Sequence, residues 1–523
     1  MTSVESLNIK PGRHSDASSR PEVIIVSDVD TGAQLAAGAV GTLDPAEALN
    51  IRRKIDKHIL PMMCSSDIPV SPILFMDKTT LGYAAILGMN QDAHLTTDEY
   101  NWLGTIFYLS YLIFEWPQNL ALQRFPVGKW MSINIFVWSV ALCSHAACNS
   151  FGGLFAVRFI LGVCEGSITA GFMIVSSMFY TRKEQTLRVG YWFLMNGTAQ
   201  IILSFVAYGV LHITESKLEP WQWLMMITGL FTVVLAISFW FFFPDSPTNA
   251  WFLTPKERAM AIQRIKENQT GVENKRFKKE QLFELLGESK TWLFFIFSII
   301  DNIPNSLTNQ GTIIINSFGF TPLQVTLLGC VPGVIEIAAI WSGVEISARI
   351  PNSRAYVGSI YFLPSLIGVF LVNFLPWTNQ VGLLISVWLC TVQITAFVMS
   401  LAWVSVTTAG HTKKVTMNAI MLCGYCIGNA IGPFMWQEQY KPRNHVPWLV
   451  IGICYVLSTM MLLTIRVHLS RENQRRDAES VDGKYDNVYM ERMGSDGVLE
   501  KVKVDKEFLD LTDVQNREFR YVL

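Results

Sequence analysis

The chain has 523 residues, 50% of them hydrophobic and only 16% charged, with a formal net charge of -1. That is too little charge to cover a soluble protein of this length, and the near-neutral balance excludes a basic field for nucleic acid. With a mean hydropathy of +0.31, a polytopic membrane protein is the simplest account.

Residues 1–58 are polar, rich in Ser, Asp and Arg, and hold no apolar stretch of the kind a signal peptide needs, so the first span is expected to act as the targeting signal. Runs of about 20 apolar residues then predict twelve helical spans, at 59–89, 101–124, 131–148, 153–179, 187–211, 221–243, 291–316, 322–346, 355–376, 381–408, 412–436 and 447–469. The expected architecture is an all-α membrane protein with twelve transmembrane helices in two six-helix bundles. An N-terminal tail (1–58) leads into the first bundle (59–243). A central loop (244–290) with Pro244, Pro247 and Pro255 at its entrance joins it to the second bundle (291–469), and a charged tail (470–523) follows, expected to be poorly ordered.

Lys and Arg number eighteen in the loops on the central-loop side and three in the opposite loops (Lys217, Lys441 and Arg443). This asymmetry predicts both termini in the cytoplasm. Asn268-Gln-Thr270 is a glycosylation sequon, but it falls in the cytoplasmic loop and is expected to be unused.

Span one is irregular: Asp67, Pro69 and Pro72 lie within two turns and should break a helix. A broken helix, a divergent gene and a misjoined exon are the three explanations, with the last favoured. The same span carries Asp77-Lys78, and span four carries Arg158 and Glu165. A charge near a bilayer centre costs roughly 2.5–3.5 kcal/mol on insertion scales, so such residues usually face a cavity. Two acids and two bases suggest a proton and an anion moving together. Arg158 and Glu165 are two turns apart on one helix face, about 10 Å along the axis. The alternative is a buried ion pair that locks helices together.

Other intramembrane acids are Glu115, Asp301, Glu336 and Glu345. Glu115 and Asn119 form an i/i+4 pair, read as structural, near a gate. Glu336 lies mid-span, where cavity lining and helix pairing are equally open. Glu345 with Arg349 resembles a degenerate second copy of a superfamily loop signature, expected to act as a latch; the first copy is reduced to Arg124…Gly128-Lys129. Span seven carries Asn305, Thr308, Asn309 and Gln310 after a Pro304 break, and span five carries Asn196 and Gln200. These can hydrogen-bond a polar substrate or another helix. The eight His fall in tails or near span ends, so carboxylates must carry any protons. Cys423-Gly-Tyr-Cys426 reads as small-residue packing. No metal or cofactor motif is present, and no HExxH or GxSxG pattern lies in a span, so an enzyme is not expected.

The ordered motifs resemble a family. Phe75-Met-Asp77-Lys78-Thr-Thr-Leu-Gly82-Tyr83 is similar to the first-helix signature of the anion:cation symporter family of the major facilitator superfamily. Phe107-Tyr-Leu-Ser-Tyr111 with Glu115-Trp-Pro117-Gln-Asn119, Arg158-Phe-Ile-Leu-Gly162-Val-Cys-Glu165-Gly166, Pro244-Asp245-Ser-Pro247, Gly410-His-Thr412-Lys413-Lys414 and Gly432-Pro433 are similar to later ones. The likeness is closest to fungal allantoate-permease-like members. It implies proton coupling by Asp77 and Glu165 and anion binding by Lys78, with Arg158, Asn305, Asn309, Gln310, Asn196 and Gln200 as further substrate-binding candidates. The expectation is a monomeric plasma-membrane symporter, lying in the lipid bilayer, for a small organic carboxylate such as allantoate or nicotinate. A nutrient sensor and a uniporter of the same fold are the alternatives.

Overall fold

A computed structural model describes residues 24–25, 44–64, 70–213, 215–265, 277–479, 488–493, 499–503 and 510–523. Many helix starts are written locally. Thr96 caps one helix, its hydroxyl accepting from the Glu99 N–H at 3.2 Å while the Glu99 carboxylate accepts from the Thr96 N–H at 2.8 Å. The same reciprocal box recurs at Thr181/Glu184, Glu219/Gln222 and Thr321/Gln324, with Pro220 and Pro322 at the first helical position. Each box satisfies orphan N–H groups at a helix start, which permits the short connections between spans.

Fifteen helices result among the described residues. They are α1 (Pro45–Cys64), α2 (70–92), α3 (Thr97–Arg124), α4 (Val127–Ala147), α5 (Phe151–Phe179), α6 (Arg182–Val210), α7 (Pro220–Phe242), α8 (Pro255–Ile265), α9 (Lys279–Gly287), α10 (289–317), α11 (Pro322–Arg349), α12 (Arg354–Phe374), α13 (Gln380–Thr407), α14 (His411–Met435) and α15 (His445–Asp477). Among the described residues nine of them are long and apolar enough to cross a membrane. Helices α2, α3 and α10, at the places of the first, second and seventh expected spans, are more polar and are not among these nine. Large apolar side chains, including Phe231, Phe241, Phe370, Phe374, Leu449 and Met460, point outward. Such a surface is stable only against lipid.

Residues 45–64 form helix α1, and α2 is described from Val70 onward. Ile51, Ile55 and Ile59, four apart, bury one stripe of α1. Its charged face meets the start of α6 through Asp56–Arg188 (2.7 Å) and the central loop through Lys54–Glu257 (2.7 Å). Asp67 and Pro69 lie outside the described residues, as does the Asn268 sequon. Further along α2, a π-helical turn runs over Ala85–Met89, with Gly88 at φ 112°, a conformation that favours glycine.

Helices α2–α7 and α10–α15 form two halves, each with its own apolar core. Close crossings use residues without side-chain bulk. A Cβ on Gly162 would sit 2.0 Å from the Phe107 carbonyl oxygen, so α5 lies directly on α3. Gly424, Gly428 and Gly432 of α14 meet the carbonyls of Phe295, Ile299 and Ile303 on α10 in the same way. Cys426 is buried on α14, in keeping with a packing role for the Cys423/Cys426 pair.

The halves are joined on the face opposite the central loop. Asn101 donates to the Trp436 carbonyl (2.8 Å), Thr105 to Ala430 (3.0 Å), Tyr100 to Asn309 (2.9 Å) and Thr312 to Gly82 (2.8 Å). These hydrogen bonds tie the two halves together on that face.

The described part of the C-terminal tail departs from the expectation of disorder. Strand β1 (Ile24–Ile25) pairs in parallel with β2 (Val488–Met493), which pairs antiparallel with β3 (Leu499–Lys503). Residues 510–523 dock on the second half. Asp513, fully buried, binds Lys290 (2.5 Å) at the start of α10 and Lys413 (2.9 Å) at the start of α14. Tyr521 donates to the same carboxylate at 2.6 Å, and Trp403 of α13 donates to the Val522 carbonyl at 2.6 Å.

Candidate functional site

Asp77 and Lys78 are neighbours on α2, so their side chains leave the helix about 100° apart. Lys78 points to α5, where its Nζ lies 2.5 Å from Glu165 Oε1; its side chain keeps 15% exposure against 3% for Glu165. Asp77 turns into the first half instead. Its Oδ2 is 3.4 Å from the Thr232 hydroxyl on α7, and Oδ1 has no hydrogen-bond partner among the described residues. Arg158 is 3% exposed, with Nε and Nη2 unpartnered among the described residues. Its field is shared with Asp77 and Tyr100. The two bases thus serve different acids, although Arg158 and Glu165 stand on one helix.

Glu115 joins the cluster from α3. Its Oε1 accepts from Asn119 Nδ2 at 2.9 Å, the expected i/i+4 pair. Its other oxygen approaches α5 so closely that a Cβ on Gly166 would lie 3.3 Å away. Three carboxylates (Asp77, Glu115, Glu165) and two cations (Lys78, Arg158) therefore share the interior of one half.

Beside this cluster lies a cavity of about 120 Å³ between the halves. Roughly 10–15 Å³ on this measure holds one water, so the space suits a small solute. Thr79 and Tyr83 of α2 and Asn196 and Gln200 of α6 line one side; Asn305 and Thr308 of α10, Glu336 of α11 and Gln393 of α13 line the other. Glu336 is 3% exposed. Asn196 donates to its Oε1, and Gln200 donates to its Oε2 at 3.0 Å.

The expected site residues divide accordingly. Asn196, Gln200, Asn305 and Glu336 reach the cavity. Gln310 does not line it; it donates to Asn101 Oδ1 at 3.0 Å and so ties α10 to α3. Asn309 likewise faces α3, near Gly104, and its carbonyl takes the Tyr100 hydroxyl. Lys78 and Arg158 are absent from the cavity wall in this conformation, although Lys78 adjoins Thr79. Arg349 pairs with Glu345 of its own helix at 2.7 Å and is 75% exposed, so that pair bridges no second helix as a latch would. Gln393 and Thr391 escaped sequence reasoning. They stand on a 3-10 turn, Cys390–Gln393, that interrupts α13 with neither Pro nor Gly to announce it.

The profile of the Major Facilitator Superfamily matches residues 71–433. The chain is 33% identical over 491 residues to the uncharacterized transporter PB1C11.03 of Schizosaccharomyces pombe, covering 92% of this chain and 85% of the relative. It is 30% identical over 534 residues to the allantoate permease of Saccharomyces cerevisiae, covering 99% and 95%. Its fold is similar to that of the xylose transporter XylE from E. coli in a partially occluded inward open conformation, with a TM-score of 0.57 and 13% identity, covering 78% of this chain and 98% of that one.

Proposed function

The chain belongs to the Major Facilitator Superfamily, and on that premise we propose that it couples uptake of a small organic carboxylate to entry of a proton. It is a secondary transporter of the allantoate permease-like group, and not an enzyme.

The observation that carries the coupling is the buried charge count. Asp77, Glu115 and Glu165 stand against Lys78 and Arg158, so the fully ionised cluster holds one uncompensated negative charge. An unpaired charge in a low-dielectric interior costs several kcal/mol, and one proton removes it. Lys78 links that proton to the solute. Its ammonium is held by Glu165 at 2.5 Å; a proton on Glu165 weakens this pair and leaves the ammonium to a carboxylate entering past Thr79. Either Glu165 or the solute neutralises Lys78, which is the exchange a symporter needs.

The Lys/Arg asymmetry supports a chain with both termini in the cytoplasm, placed at the plasma membrane. An inside-negative potential opposes anion entry by about 2.3 kcal/mol per charge per 100 mV. One proton per monovalent anion cancels that term, and each pH unit then contributes about 1.4 kcal/mol. Both cavity walls come from one chain, which supports a monomer as the working unit. Allantoate is the first compound to try, since the relative named for it covers 99% of this chain.

The test is external pH in lightly buffered, de-energised yeast expressing the chain, with allantoate, nicotinate and related carboxylates added in turn. Alkalinisation by one compound, lost in Glu165→Gln, is the expected result. Uptake without alkalinisation would make the protein a uniporter and overturn the coupling.

A further inference from the structure

We propose that Glu336 is the specificity-determining residue of the cavity and that it accepts an N–H donor of the solute: an ammonium, amide or ureido group carried on the same molecule as the carboxylate. This rests on the transport reading above and narrows its substrate class.

The geometry has three parts. Glu336 stands on the cavity wall at 3% exposure, in the half opposite Lys78. Asn196 and Gln200 each donate one hydrogen bond to it, one to each oxygen. An ionised carboxylate has about four acceptor positions, so two remain. The two amides also have a fixed orientation, because their NH₂ groups must face the carboxylate. Their carbonyl oxygens are then left as further acceptors near the same wall. Across α10, Thr308 donates to Asn305 Oδ1 at 3.1 Å, so that acceptor is already used.

Glu336 thus presents a buried carboxylate with acceptor positions to spare, and a solute carboxylate placed beside it would be repelled. A solute with its carboxylate toward Lys78 and its N–H groups toward Glu336 would satisfy both sides. A purely aliphatic acid would leave acceptors unpaired, the condition under which polar sites discriminate most strongly.

A merely structural role, with Glu336 tying α6 to α11, uses the same contacts, so the experiment separates the two. Purified full-length chain is titrated with N-carbamoylglycine, a ureido carboxylate, and with pentanoate, which has no N–H group, and Kd is measured for each. The variant is Glu336→Gln. The expected result is tighter binding of N-carbamoylglycine than of pentanoate. Glu336→Gln should raise the Kd of N-carbamoylglycine about ten- to hundredfold, the range for hydrogen bonds to a charged group, and leave that of pentanoate unchanged.

Equal binding of both compounds by the wild type overturns this inference and leaves the carboxylate reading standing. An equal rise of both Kd values in Glu336→Gln also overturns it, in favour of a tie between helices. Binding of neither compound overturns the carboxylate reading itself, and this inference with it.

Discussion

Gly197 of α6 and Gly333 of α11 meet backbone to backbone: a Cβ built on either would lie 2.5 Å from the carbonyl oxygen of the other. This crossing brings the two halves together one turn from Glu336 and its amide partners, and it sets the width of the cavity there. Real Cβ atoms do not approach a carbonyl so closely, so Gly333→Ala must push α6 and α11 apart. Overpacking of this kind costs about 1–3 kcal/mol. The expected outcome is a lower thermal unfolding temperature and a marked loss of transport in cells with normal surface expression. Unchanged uptake by Gly333→Ala would show that the crossing tolerates separation.

The Lys78–Glu165 pair should behave non-additively. Removing one partner of a buried ion pair costs up to about 3–5 kcal/mol because the other is stranded; the 15% exposure of the Lys78 side chain reduces this. Lys78→Met and Glu165→Gln are each expected to destabilise the purified protein. Combined, they should cost clearly less than the sum. A thermal-unfolding double-mutant cycle measures the difference, and simple additivity would mean that the two groups are not energetically coupled.

Asp513 should act as a keystone for the docked tail. Burial pushes its carboxyl up, but the Lys290 and Lys413 ammonium groups pull it net below the usual aspartate range. A carboxyl lowered on folding adds stability above its unfolded value and loses it as pH falls toward the folded value. The contribution is therefore complete at neutral pH and disappears only below the ordinary value near 3.8. Asp513→Asn is expected to destabilise at pH 7 by about 3 kcal/mol, the lower end for breaking a buried pair, since Lys413 keeps Glu284 and Glu288. The gap between variant and wild type should close below that pH. A constant gap down to strongly acidic pH would remove the carboxylate from the account.

The Pro244-Asp245 turn has a separable role. Asp245 Oδ1 accepts from the Gly128 N–H at 2.9 Å, so it caps α4 from the far end of the same half. Arg258 shapes the loop beyond by donating to the carbonyls of Thr248, Ala250 and Leu253. Asp245→Ala should cost about 0.5–2 kcal/mol, the range for a lost cap, with Asp245→Asn recovering most of it. Equal loss in both variants would point to charge rather than the hydrogen bond.

Membrane class, the all-helical fold and the placing of Asp77, Lys78, Arg158 and Glu165 inside helices were legible from the chain alone. So was the Glu115–Asn119 pair. Hydropathy and i/i+4 spacing are local properties, and lipid requires each span to satisfy its own backbone. The amphipathic stripe of α1 was not read, because a run of apolar residues does not distinguish a docked amphipathic helix from the start of a span.

Tertiary structure decided the rest. Sequence spacing puts Arg158 and Glu165 on one face, but it cannot say that Lys78 meets Glu165 while Asp77 turns toward Thr232. That depends on how α2 is rotated against α5 and α7. Gln310 looked like a substrate ligand until α3 was found against it, and Glu336 became the cavity's carboxylate only once α6 crossed α11. Asp513 meets Lys290 across 223 residues of chain; no local pattern carries such a contact, because it forms only when the helix ends that hold its partners have already packed.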